Sequence, residues 1–180
     1  AISIAKLFEK QEGKIYKKVI TKTLTNKEAT SDNILDALDW LDKEATSKDV
    51  VMIFVAGHGV KDEKGNYYFL SHEANLDRLR TTAVKWTEIQ DTLTNLPSKV
   101  ILLADTCHSG DIAGARRDIV SAIKSITNSG SGSIIFTATT GSGYSYEQTS
   151  WGHGAFTKAL LDGLGGFKAD YDNDGEVSIK

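Results

Sequence analysis

The chain has 180 residues, 40% hydrophobic and 25% charged, with 21 basic and 24 acidic side chains giving a net charge of −3. This is a globular composition, which excludes a disordered, collagen-like or coiled-coil chain. A charge so small and mixed argues against a nucleic-acid or anionic-membrane partner, and no apolar run approaches the ~20 residues of a membrane helix.

With one proline, no internal repeat and no dividing linker, residues 1–180 read as one domain. Ala1–Lys10 places Ile2, Ile4, Leu7 and Phe8 at helical spacing and stops near Gly13. Lys17–Leu24 is β-branched and alternating, which predicts a strand. Thr30 or Ser31 then caps a helix carrying Ile34, Leu35, Leu38 and Leu41. Val50–Ala56 is a continuous apolar run of strand length that ends at Gly57-His58-Gly59. Lys64-Gly65-Asn66 predicts a turn, and Tyr67–Leu70 a short aromatic strand after it. Trp86–Leu96 returns to helical spacing, and Val100–Ala104 is a second buried strand running into Asp105-Thr106-Cys107-His108-Ser109-Gly110. Beyond a short helix at Ile119–Ile126 and a Gly/Ser stretch at Asn128–Ser133, Ile134–Ala138 reads as a third buried strand and Ala155–Leu164 as a helix. Strands alternating with helices imply an α/β sheet, whose ligands bind beyond the carboxyl ends of the strands. If the strands before His58 and Cys107 are parallel neighbours, their loops sit side by side.

Cys107 is the single cysteine, so no internal disulfide is available and the residue is a buried small hydrophobe, a metal ligand or a reactive thiol. Lone cysteines are most often inert core residues. Here the flanking Asp105, Thr106, His108 and Ser109 are too polar for a core and suit a cleft at a strand end. Paired ligands at short metal spacing are absent, which argues against zinc. A catalytic thiol needs a base to generate the thiolate and donors for the oxyanion. His58 supplies the base, and its flanking glycines leave room for substrate and for the Gly59 and Cys107 amides to form an oxyanion hole. The histidine lies about 50 residues upstream of the cysteine, a spacing known from caspases. His108, His72 and His153 read as exposed or rim residues.

Ala56-Gly57-His58-Gly59-Val60 after one strand and Asp105-Thr106-Cys107-His108-Ser109-Gly110 after the next resemble the caspase-like cysteine peptidases, in their metacaspase and bacterial branch (family C14, clan CD). Glu147-Gln148-Thr149-Ser150 and Gly154-Ala155-Phe156-Thr157 resemble the segment beyond the third strand of metacaspases. The resemblance implies a three-layer α/β/α sandwich with a mostly parallel central sheet. It implies a large-subunit-like part over 1–127 and a small-subunit-like part over 128–180. Relatives begin with a hydrophobic strand and continue past the equivalent of Lys180, so a first strand missing from this chain and further domains of a longer parent are expected. By resemblance, Cys107 is the nucleophile and His58 the general acid/base of an endopeptidase with no required cofactor. Asp105 stands where true caspases carry glutamine. A carboxylate there prefers Arg or Lys in the substrate through charge-assisted hydrogen bonds, and Glu147 would add a second acidic wall. Arg116 and Arg117, where relatives are often cut, are a self-cleavage candidate weighed against a plain solvated charge pair.

Asp170, Asp172 and Asp174, followed by Gly175, match the opening of a calcium loop whose twelfth position would be residue 181. The competing reading is a polar turn. The expected partner is a peptide or protein substrate carrying a basic residue. The N-terminus lacks a secretory pattern and there is no disulfide, so a cytoplasmic location is the default. The competing functional reading is a catalytically silent caspase-like interaction or signalling module.

Overall fold

A computed structural model describes residues 1–107, 134–137, 147–148, 153–166, 168–175 and 177. In chain order these form α1 (Ile2–Glu9), α2 (Ser31–Glu44), β1 (Val50–Lys61), β2 (Tyr67–Phe69), α3 (Leu79–Thr82), β3 (Val84–Lys85) and α4 (Trp86–Asn95). There follow β4 (Lys99–Cys107), β5 (Ile134–Thr137), β6 (Glu147–Gln148), β7 (His153–Gly154) and α5 (Ala155–Leu160). They fall into two compact units, one of Ala1–Thr23 with Ser145–Lys180 and one of Leu24–Tyr144. The expected 127/128 division, the helix at Ile119–Ile126 and the Gly/Ser stretch lie outside the described residues.

The unit Leu24–Tyr144 holds a five-stranded mixed sheet in the order β3-β2-β1-β4-β5. β1, β4 and β5 are parallel, and β2 and β3 extend the sheet antiparallel. This is the expected α/β class. One sheet face is apolar in alternation: Val51 of β1, Val100 and Leu102 of β4 and Tyr67 of β2 join Leu38 of α2 and Trp86, Ile89 and Leu93 of α4 in one buried cluster. Two helices are thus laid against that face by stripes spaced for a 3.6 period meeting strands spaced for a period of two.

α2 starts where Thr30 predicts: its hydroxyl accepts from the Asn33 amide at 3.2 Å, satisfying an orphan donor of the first turn. Glu73 holds the same end, its carboxylate accepting from the Ser31 amide at 2.7 Å and the Ser31 hydroxyl at 3.0 Å. The β1–β2 hairpin is tied by Asp62, which accepts from the amides of Lys64 at 3.0 Å and Asn66 at 2.8 Å. Gly65 supplies the positive φ of +82° that the turn demands.

Two sequence expectations differ from the structure. Lys17–Leu24 belongs to no ladder among the described residues. A strand's pattern forms a strand only with a partner to receive its amides and carbonyls. The β1 strand does not stop at Ala56 but runs on through Gly57-His58-Gly59 to Lys61, because β2 pairs with Gly59, Val60 and Lys61 and carries the ladder past the glycines. In the other unit, α1 forms as expected and packs on the π-helical segment Leu161–Gly165 that continues α5, while β6 and β7 pair antiparallel.

Candidate active site

The parallel ladder between β1 and β4 runs in register from Val50↔Lys99 to His58↔Cys107. Adjacent strands in a sheet stand about 4.8 Å apart, so the backbone positions of His58 and Cys107 are neighbours at its last rung. The pleat puts 56, 58, 105 and 107 on one face, opposite the face that α2 and α4 cover. Sequence spacing predicts this meeting, and the parallel register delivers it.

On that face His58 is exposed, while Asp105 is only 6% exposed, one rung row below beside Ala56. A carboxylate is rarely buried without partners, and Asp105 has them here. The Leu70 amide donates to the His58 carbonyl at 2.9 Å, so the histidine's backbone is held from the β2 side as well. The face therefore combines an accessible imidazole with a sunken carboxylate at the carboxyl end of two parallel strands, where open sheets bind ligands.

The glycines beside His58 have a role that the sequence does not reveal. A Cβ added at Gly59 would fall 1.9 Å from the Tyr67 hydroxyl oxygen, and one added at Gly57 would fall 2.9 Å from Cζ of Phe69. The space expected for substrate is, on this face of β1, filled by two aromatic rings. The signal was present as two glycines at i, i+2 and two aromatics at i, i+2 across a hairpin, but it needs the register to be read.

The remaining candidates are placed unevenly. Glu147 lies on β6, paired with Gly154, in the unit that does not contain the sheet. Arg116 and Arg117 lie outside the described residues. Asp170, Asp172 and Asp174 converge, with one carboxylate oxygen from each within 4.8 Å of the others. Asp170 also accepts from the amides of Asp174 at 3.2 Å and Gly175 at 3.0 Å. The trio suits a hard cation that prefers oxygen ligands, although Asp170 already spends acceptor capacity on the turn. Among the described residues no helix is long and apolar enough to cross a membrane.

A chain with Gly-His-Gly on one strand and a cysteine at the end of its parallel neighbour, in register, has the frame of a caspase-like domain. Residues 1–174 match the family model of the caspase domain, peptidase family C14, and the chain belongs to that family. It is similar to Metacaspase-1 of Candida albicans at 35% identity, over 46% of this chain and 21% of that protein, so it spans about a fifth of that relative's length. It also shares its fold with a crystal structure of a protein from Geobacter sulfurreducens, with a TM-score of 0.55 and 19% identity, over 80% of this chain and 66% of that one.

Proposed function

We propose that the chain is a cysteine endopeptidase in which Cys107 and His58 form the catalytic pair. The observation that carries this reading is the His58↔Cys107 rung, which brings together the one cysteine of the chain and an exposed imidazole at the carboxyl ends of parallel strands.

Chemically, the thiolate of Cys107 attacks the carbonyl carbon of the scissile peptide, and the carbonyl π pair moves to oxygen. The amides of Gly59 and Cys107 donate to that oxyanion, where fixed donors in a partly dry site have the most effect. Collapse breaks the C–N bond as His58 protonates the leaving amine, leaving a thioester. His58 then takes a proton from water, the hydroxide adds to the thioester, and the thiolate departs. Splitting one difficult hydrolysis into two displacements is what a covalent nucleophile contributes.

Asp105 selects Arg or Lys on the acyl side of the cleaved bond. Its burial supports this: a desolvated carboxylate pairs strongly with an entering guanidinium or ammonium and repels an acidic side chain. The partner is a protein or peptide with an exposed basic residue, and the Arg116-Arg117 pair would itself be a substrate. The chemistry requires no cofactor, and Asp170, Asp172 and Asp174 would hold calcium as a regulatory ion.

The test is hydrolysis of fluorogenic peptides ending in Arg, Lys, Asp or Asn by this chain and its Cys107→Ala variant. Cleavage after Arg or Lys that vanishes in the variant is the expected result. Cleavage confined to Asp would overturn the role of Asp105. No cleavage, together with a Cys107 that resists alkylation, would leave the silent interaction module as the better reading.

A further inference from the structure

His58 stands between two glycines whose missing side chains are replaced by rings from the neighbouring strand. Tyr67 pairs with Lys61 and Phe69 with Gly59, so each ring leans diagonally by one side-chain row, Tyr67 onto Gly59 and Phe69 onto Gly57. Tyr67 is 7% exposed and rests edge-on against Trp86, with ring centroids 6.2 Å apart and planes at 88°. Trp86 is the first residue of α4 and is itself 7% exposed. A continuous packed line therefore runs from α4 through Trp86 and Tyr67 to the Gly59 backbone, ending one residue from His58. An aromatic ring wedged between a helix and a strand is stiff, because close packing leaves it no alternative rotamer.

We propose that Tyr67 is a positioning residue for the His58–Cys107 centre: its ring braces the Gly59 backbone from the covered face of the sheet and so fixes where the His58 imidazole is presented on the other. The inference rests on the peptidase reading above. Catalytic pairs tolerate little slack, since a displacement of about 1 Å can cost ~10²-fold in rate. Glycine on either side also leaves the backbone that carries a catalytic base freer to shift than other residues would. The brace compensates for the freedom that the glycines introduce. The titratable positions sharing the His58 face of the sheet among the described residues are Tyr68 of β2, Lys85 of β3 and Lys99 and Asp105 of β4, with Cys107 at the rung itself, and Tyr67 lies on the other face.

The experiment follows the pH dependence of Cys107 alkylation by iodoacetamide, which labels one site because the chain has one cysteine, alongside peptide hydrolysis. Wild type is expected to show a low-pH limb of reactivity that His58→Gln abolishes. Tyr67→Phe, which keeps the ring, should retain that limb. Tyr67→Leu should lose it, so that reactivity follows a single ordinary thiol titration near pH ~8.5, and should lower kcat about 10²-fold with KM little changed. Leu93→Ala, in the same buried cluster and further along α4 than Trp86, is the control for lost stability and should keep the limb. If Tyr67→Leu does not melt cooperatively, Trp86→Phe narrows the support behind Tyr67 and should move the profile in the same direction by less. Retention of the limb and of kcat in a folded Tyr67→Leu variant would overturn the positioning role and leave the peptidase standing. A wild-type profile with no His58-dependent limb would remove the catalytic pair, and the brace with it.

Discussion

Phe69 lies across the backbone of Gly57, so close that a methyl group on Gly57 would meet the ring's Cζ at 2.9 Å. Gly57→Ala is expected to overpack this contact and cost about 1–3 kcal/mol, the usual range for one surplus carbon in a filled space. Phe69→Leu should itself be destabilising but should make Gly57→Ala nearly neutral in its background. A double-mutant cycle by urea denaturation checks this, and additive effects would show that ring and glycine do not communicate.

The N-terminal end of α2 should be sensitive to acid. Partial burial raises the pKa of Glu73, but hydrogen bonds from the Ser31 amide, its own amide and the Ser31 and Ser71 hydroxyls outweigh it, holding the carboxyl below its ordinary value. A carboxylate with a depressed folded-state pKa contributes stability that is present above its unfolded pKa and lost as pH falls through the folded one. The melting temperature is therefore expected to fall below about pH 4.5, and Glu73→Gln should flatten that part of the curve. Thr30→Ala, which removes the cap on the Asn33 amide, should cost about 1 kcal/mol at any pH.

Much of this molecule is legible in the residue order because burial writes itself as periodicity. The apolar runs Val50–Ala56 and Val100–Ala104 read as strands because they are continuous and of strand length, and Leu38 and Leu93 fall on the stripes that reach the cluster. The pairing of His58 with Cys107 follows once those strands are adjacent. What stays hidden depends on non-local partners. β3 is two residues long and exists only because β2 offers it an edge. Lys17–Leu24 has the strand pattern without a ladder. The glycines at 57 and 59 look like a loop until the β1–β2 register puts rings against them.

The burial of Asp105 makes a prediction about selectivity. Asp105→Asn keeps the shape and removes the charge, so it should lower kcat/KM for peptides ending in Arg by about 10–100-fold, the worth of one charge-assisted hydrogen bond. It should leave thiol alkylation of Cys107 unchanged, because selection of the side chain is separate from generation of the thiolate. A comparable loss in alkylation would instead mean that Asp105 acts on the pair itself. Parallel assays with peptides ending in Arg and in a neutral residue separate the two, since a pocket role penalises only the first.

Calcium should bind weakly if it binds at Asp170, Asp172 and Asp174. Three carboxylates, two of them exposed, supply few of the six to eight oxygens that the ion prefers. Asp170 is further committed to the turn through the Asp174 and Gly175 amides. The expected dissociation constant is about 10⁻⁴–10⁻³ M, the range of sites with low ligand charge or rigidity. Calorimetric titration with calcium measures it, and Asp172→Asn should weaken binding without disturbing the turn, because Asp170, not Asp172, accepts those two amide bonds. No heat in wild type up to millimolar calcium would return the trio to a polar turn that Asn173 and Gly175, with φ of 56° and 87°, already explain.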